Sequence, residues 1–213
     1  MKALLVSGLA ANAAGTVAML ALHARAGLDP LYDVISTYAF HQDGWLLPTS
    51  LTLFAVGGVL TAEALRRAGA GGWVVALLAA WSVSMFLIGA FPTDRPGVPL
   101  SLSGGIHRYA AFAAFLAMPA AGMLLARTQT RYAKAVRVLS GVALGALVLV
   151  VTPYVVRMAG IPLGDGDIPA GLTQRIVVIT ELGVLAAAGL SMLRASATRA
   201  AQRSQGGVSP SLA

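Results

Sequence analysis

Residues 176–193 read IVVITELGVLAAAGLSML, an apolar run broken by a single charge, Glu181. A helix needs about 20 apolar residues to cross a bilayer core, and this run, with its neighbours, has that length. The rest of the chain has the same character. Apolar residues make up 57% and charged residues 11% of the 213, whereas a soluble domain carries roughly a quarter charged. The deficit is spread along the whole length, which points to one membrane domain. Working back from the last run, five further stretches qualify: Ala3–Ala24, Trp45–Leu65, Trp73–Phe91, Ile106–Ala126 and Ala135–Val156. The expected fold is all-α, a polytopic bundle of six transmembrane helices over residues 1–193. Residues 194–213, rich in Ser, Gly, Gln and Arg, are expected to form a disordered cytoplasmic tail.

Lys2 and the Ala11-Asn12-Ala13 triplet give the first span some likeness to a signal peptide, but its apolar run continues to Ala24, too far for a usual signal core. A retained helix is the reading adopted. Net charge is +7. The basic residues lie between apolar spans, with no patch interleaved with aromatics, so the charge sets topology and does not read as a nucleic-acid surface. The absence of cysteine excludes disulfides, thiolate catalysis and iron–sulfur ligation. No phosphate-cradling glycine loop, nucleophile elbow or dinucleotide fingerprint occurs, and no cofactor is expected. Arg far outnumbers Lys, and Ala and Gly are abundant, which reads as a bacterial composition, and the expected location is the bacterial inner membrane.

With the N-terminus in the cytoplasm, that side holds Lys2, Arg66, Arg67, Arg127, Arg131, Lys134, Arg137, Arg194, Arg199 and Arg203, ten of the 15 basic residues. The far side holds Arg25, Arg95, Arg108, Arg157 and Arg175. This bias places both termini in the cytoplasm. The same assignment puts Asp29, Asp33, Asp43, Asp94, Asp165, Asp167 and all three histidines, His23, His41 and His107, at the outer side, where the longer loops also lie. In the first of these loops, Asp33–Phe40 has helical spacing, with Val34, Tyr38 and His41 on one face, and is expected to form a short interfacial helix.

Glu181 is the sharpest anomaly. A carboxylate at mid-membrane must be protonated, paired or turned to a wet cavity. Gln174, Val178, Glu181 and Leu185 share one helical face, so Gln174 and Glu181 point into one side of the bundle. One reading is a packing hydrogen bond, with Asn12, Ser82 or Ser84 as partner. The other is a neutral acid poised to give up a proton.

A second cluster gathers at outer helix ends. Span three closes with Gly89-Ala90-Phe91-Pro92-Thr93-Asp94, span four opens near His107, and span six opens with Gln174-Arg175. A plausible bundle sets Asp94, His107 and Arg175 around one mouth, with Asp94 orienting His107 or pairing with Arg175, and Asp33 and Ser36 completing the group. This is either a salt-bridge ring that fixes helix ends or an acid–base site or headgroup clamp. A metal is weighed and set aside, because no histidine pair has helical ligand spacing. Trp81, Phe86 and Tyr154 lie deeper and are candidates to line a pocket. Pro48, Pro119 and Pro153 are expected to kink their helices. Gly57-Gly58 and the Gly141–Gly145 pair allow close helix approach, the latter internally or between two copies. Trp45 and Trp73 read as interfacial anchors.

Taken together, Ile35-Ser36 with Tyr38-Ala39 after the first span, Gly89-x-Phe91-Pro92-x-Asp94, His107, and Gly171-x-x-Gln174-Arg175 resemble, in order and spacing, the bacterial six-helix membrane family called "domain of unknown function 998". The resemblance extends over about residues 1–195. It implies a six-helix bundle and marks Asp94, His107, Gln174 and Arg175 as a polar signature, but implies no reaction. The chain departs in the first outer loop, where Thr37-Tyr38 stands in place of an acid expected soon after Ser36.

Three functions fit these residues. The first is a membrane-embedded acid–base enzyme acting on a lipid or isoprenoid, by proton-initiated cyclisation as in a terpene cyclase, isomerisation or hydrolysis. Its catalytic groups would be Glu181, Asp94 and His107, with Arg175, Gln174, Asp33, Ser36, Trp81 and Tyr154 binding substrate. The second is a small proton-coupled transporter, which the lack of an inverted repeat disfavours. The third is a non-catalytic subunit that senses lipid or holds a partner. Membrane lipids and a small hydrophobic substrate are the expected partners, with no nucleic acid.

Overall fold

The computed structural model describes residues 1–95, 97–128, 131–161 and 168–206. The chain is helical: α1 Lys2–Ala26, α2 Leu46–Arg67, α3 Gly72–Ala90, α4 Leu102–Thr128, α5 Ala133–Met158 and α6 Ala170–Gly206, with a short 3₁₀ helix, Ile35–Phe40, between α1 and α2. Six of these segments are long and apolar enough to span a membrane. Between 22% and 56% of each span's most apolar window is buried inside the protein, so much of each span faces outward. The outward residues are themselves apolar: Val17, Leu20, Val59, Val83 and Ile179 are each more than half exposed. A continuous belt of this kind is untenable in water and is what hydrocarbon solvates.

Consecutive helices pack as antiparallel neighbours from α1 to α6. The ring closes through α6, which also touches α1, α2 and α4. The α1–α2 and α2–α3 crossings rely on Gly57 and Gly58. A Cβ at Gly57 would lie 2.2 Å from Asn12 Oδ1, and one at Gly58 would lie 2.3 Å from Ser82 Oγ, so only glycine lets these helices approach this closely. Gly141 and Gly145 meet no protein atom in the same way, and the pair therefore takes no part in internal packing. Pro119 and Pro153 lie inside α4 and α5.

Helix ends follow local chemistry. Gly27 closes α1 in the left-handed conformation, φ 63, which costs glycine nothing. Pro92, with no N–H to donate, follows the end of α3. Trp45 and Trp73, at the first turns of α2 and α3, are exposed at opposite ends of the bundle. Glu63 takes bidentate hydrogen bonds from Arg66 (2.6 and 2.8 Å) and one from Arg67 (2.6 Å) at the end that carries the termini.

Two expectations change. The loop helix over Asp33–Phe40 is a 3₁₀ turn, so its buried pair is Ile35 and Tyr38, three residues apart, and Val34 is only part-buried. The stretch from Arg194, expected to be disordered, continues α6 to Gly206.

Candidate functional site

Glu181, in the first half of α6, is 1% exposed. Its Oε2 accepts a hydrogen bond from Trp81 Nε1 of α3 at 3.0 Å. Its Oε1 has no partner among the described residues. The partners expected for it are engaged or placed elsewhere. Asn12 lies against Gly57 with its own amide unsatisfied, and Ser82 donates to the Leu78 carbonyl at 2.8 Å. Ser84 faces a groove on the outside of the bundle. An ionised carboxylate with one hydrogen bond and no cation in contact would be left uncompensated in hydrocarbon.

Seven and six residues before Glu181, on the same helix, Gln174 and Arg175 grip the first loop. Gln174 Oε1 accepts from the Ile35 amide at 2.6 Å, which starts the 3₁₀ helix. Arg175, 8% exposed, reaches five acceptors. Nη1 donates to the carbonyls of Pro30 (3.0 Å), Asp33 (2.7 Å) and Gly171 (3.0 Å), Nη2 to the Tyr38 hydroxyl (2.9 Å), and Nε to His23 Nε2 (3.0 Å). The last contact fixes a tautomer. His23 Nδ1 lies 2.8 Å from the Met19 carbonyl and must carry the proton, which leaves Nε2 a bare acceptor for Arg175. His23 also stacks on Tyr38 with ring centroids 4.7 Å apart. Among the described residues no carboxylate pairs with Arg175, and its charge is spread over neutral acceptors. Gly171 makes the fit possible, since a Cβ there would lie 2.5 Å from the Asp33 carbonyl oxygen.

The corner between α3 and α4 uses the other signature residues. His107 Nδ1 sits 3.1 Å from the Ile88 carbonyl and 2.9 Å from that of Phe91, and so caps the end of α3. Asp94 accepts from the Ser101 amide at 2.9 Å, at the start of α4. It neither bonds to His107 nor pairs with Arg175, contrary to the expected mouth, because each of the three is committed to a different stretch of backbone. Hydrogen bonds from the Ser101 hydroxyl and amide, with Arg108 and His107 adding smaller contributions, hold the Asp94 carboxyl below its ordinary value. The native bonds thus favour the carboxylate. They are intact at neutral pH and fail as the pH falls through that lowered value. Hydrogen exchange at the Ser101 amide should therefore stay slow at neutral pH and accelerate on acidification below the usual carboxylate range. Exchange that is indifferent to such acidification would refute the cap.

Ser36, His107 and Gln174 come together at one place. They line a cavity of about 40 Å³ in the middle of the bundle, whose other walls are apolar, Met19, Leu51, Met85 and Phe115 among them. Ile35 and Ser36 of the 3₁₀ helix form its roof. Val178 and Met85 belong to its lining, and each stands about one helical turn above the Glu181–Trp81 pair. Glu181 itself is outside the lining. A larger groove, about 620 Å³, lies on the outer face of α3 and α4 and holds none of the candidate site residues.

Of the remaining candidates, Asp33 contributes its carbonyl to Arg175, while its carboxylate accepts from the Asp29 amide at 2.9 Å. Phe86 is 52% exposed and faces outward, so it lines no interior cavity. The side chain of Tyr154, together with Asp165 and Asp167, lies outside the described residues. Among the described residues no three His, Asp or Glu side chains stand close enough to hold a metal ion. Sequence reasoning missed His23 as a member of the clamp. Its one signal is weak: it lies near the same end of the bundle as an arginine that lacks an acid.

No curated protein and no solved structure matches the chain. Residues 7–191 match the family described as "Protein of unknown function (DUF998)", and the chain belongs to it.

Proposed function

We propose that the protein is a membrane-embedded acid–base enzyme acting on a lipid or isoprenoid substrate held in the central cavity, with both termini cytoplasmic. The observation that carries this reading is the Glu181 carboxyl: fully buried, held on one oxygen by Trp81 and unengaged on the other. A neutral acid in an apolar site is a proton donor that needs no solvent. In this scheme Glu181 gives its proton to a substrate double bond. The cation that forms then gives up a proton from a neighbouring carbon to the Glu181 carboxylate, which restores the acid and completes an isomerisation or cyclisation without oxidant or cofactor. Trp81, fixed beside the carboxyl by its Nε1 hydrogen bond, is the aromatic group nearest the proton donor and would supply a π surface for the cation. Met85, unbranched and flexible, is the part of the floor that has to turn to expose Glu181. Arg175, Gln174 and Asp33 hold the roof and act as positioning residues.

The test is a comparison of extracted lipids from cells that express the wild-type chain, Glu181→Gln, or no protein, at matched expression. Glutamine keeps the acceptor for Trp81 and has no acidic proton. A lipid species that changes with the wild type and reverts in Glu181→Gln is expected, with turnover reduced by about 10²–10⁴. A lipid change that persists in the variant overturns the assignment.

A further inference from the structure

We propose that the cavity beneath the 3₁₀ roof binds the hydroxyl group of an uncharged long-chain alcohol, held between the His107 ring, the Gln174 amide and the Ser36 hydroxyl. This rests on reading the cavity as the substrate site and names the polar end of what enters it.

Each polar group at the cavity has one bond to the protein that fixes it and leaves a second capacity unused. His107 spends Nδ1–H on the Ile88 and Phe91 carbonyls. In the neutral ring Nε2 therefore carries only a lone pair and can do nothing but accept. Gln174 spends Oε1 on the Ile35 amide, which orients its side chain and turns the NH₂ into a free donor. Ser36 makes no hydrogen bond with its hydroxyl among the described residues and lines the same space. The site thus offers one acceptor and two donors within apolar walls. An alcohol oxygen matches that set: it donates once, to His107, and accepts twice, from Gln174 and Ser36.

Charge and size narrow the class. No cation lines the cavity. Arg175, the residue after Gln174 on α6, directs its bonds to the loop, Gly171, Tyr38 and His23. A carboxylate or phosphate would enter without a counter-charge, which desolvation forbids. A hydrocarbon would leave all three polar groups unmatched. A volume of about 40 Å³ takes a hydroxyl and its first carbon or a water, so an alkyl tail has to leave between helices toward the lipid.

The experiment uses the full chain in lipid nanodiscs and a dodecanol analogue that carries a photoactivated diazirine near the hydroxyl. Crosslinked peptides are read by mass spectrometry, with dodecanol, dodecane, dodecanoate and dodecyl phosphate as competitors. Saturable labelling on the α4 and α6 cavity turns is expected, displaced by dodecanol at least tenfold better than by the other three. Two variants keep the structural bond and remove only the cavity function. His107→Asn retains a donor for the α3 carbonyls without the Nε2 acceptor, and Ser36→Ala removes the hydroxyl. Each should weaken dodecanol binding by about 3- to 10-fold while the melting temperature stays near wild type. Displacement by dodecane or dodecyl phosphate as good as by dodecanol, or no saturable labelling because water alone fills the site, overturns the proposal. The enzyme reading fails separately. If dodecanol binds as expected but Glu181→Gln leaves lipid composition unchanged from wild type, the site stands and the chemistry does not. If Glu181-dependent turnover is found on an anionic lipid, the chemistry stands and the alcohol site does not.

Discussion

Replacing Arg175 by alanine is expected to unfasten the first loop and to destabilise the protein by roughly 3–5 kcal/mol. Three backbone carbonyls, a phenol hydroxyl and a ring nitrogen lose their donor at once. None of them has an obvious replacement, because the loop folds inward around the guanidinium. A loss of that size corresponds to a fall in melting temperature of roughly 10 °C for a chain of this length. The release has a local signature. Tyr38 is 1% exposed and closed to protease in the wild type, so chymotrypsin should cut there in Arg175→Ala at a concentration that spares the parent. Arg175→Lys should restore little, since one ammonium cannot reach acceptors spread from Pro30 to His23. An unchanged melting temperature together with continued protection of Tyr38 would show that the loop is held by something else.

The second large effect concerns the buried acid and its tryptophan. Trp81→Phe removes the one hydrogen bond that Glu181 makes among the described residues and is expected to destabilise by about 1–3 kcal/mol. Glu181→Met leaves the indole N–H buried without an acceptor and is expected to do the same. Changing both to apolar residues should return stability to the wild-type level or above it, since a buried polar pair replaced whole by apolar groups is often neutral or better. A double-mutant cycle should therefore give a coupling of about 2–6 kcal/mol, the two single losses recovered together, read from thermal unfolding in nanodiscs. All three variants should lack the lipid conversion. Such a result would set a pair of no net structural benefit beside a requirement for activity, the pattern of a group kept for its chemistry. A Trp81→Phe protein as stable as its parent would remove the premise, because the indole would then not be what holds the carboxyl.

The fold was legible because hydrocarbon imposes a length and a polarity on each span that few other structures share. The six runs and the six observed helices differ mainly at their ends, where the chain meets water and short-range capping decides. The gripping role of Gln174 and Arg175 was half visible: two long polar side chains opening a span must find partners, but one sequence does not say which loop supplies them. His23 escaped notice for that reason. Its bond to Arg175 joins the end of the first helix to the start of the last, across 152 residues of chain, and nothing local encodes it. The opposite error occurred with Asp94. Acid, histidine and arginine at neighbouring helix ends suggested mutual pairing, whereas Asp94 and His107 found backbone donors and acceptors nearer than one another. Phe86 illustrates a limit of a uniformly apolar helix. With apolar residues all round α3, the pattern does not distinguish the face toward lipid from the face toward protein.

The roof contacts at Gln174 and Arg175 and the acid at Glu181 are carried by a single uninterrupted helix, seven and six residues apart and with no proline or glycine between them. That stretch of α6 works as a stiff lever: a tilt or a small axial roll forced on it by the loop arrives at the carboxyl undiminished, with no joint to absorb it. A shift of the roof is therefore expected to displace the Glu181 carboxyl as well, through the one helix that carries both.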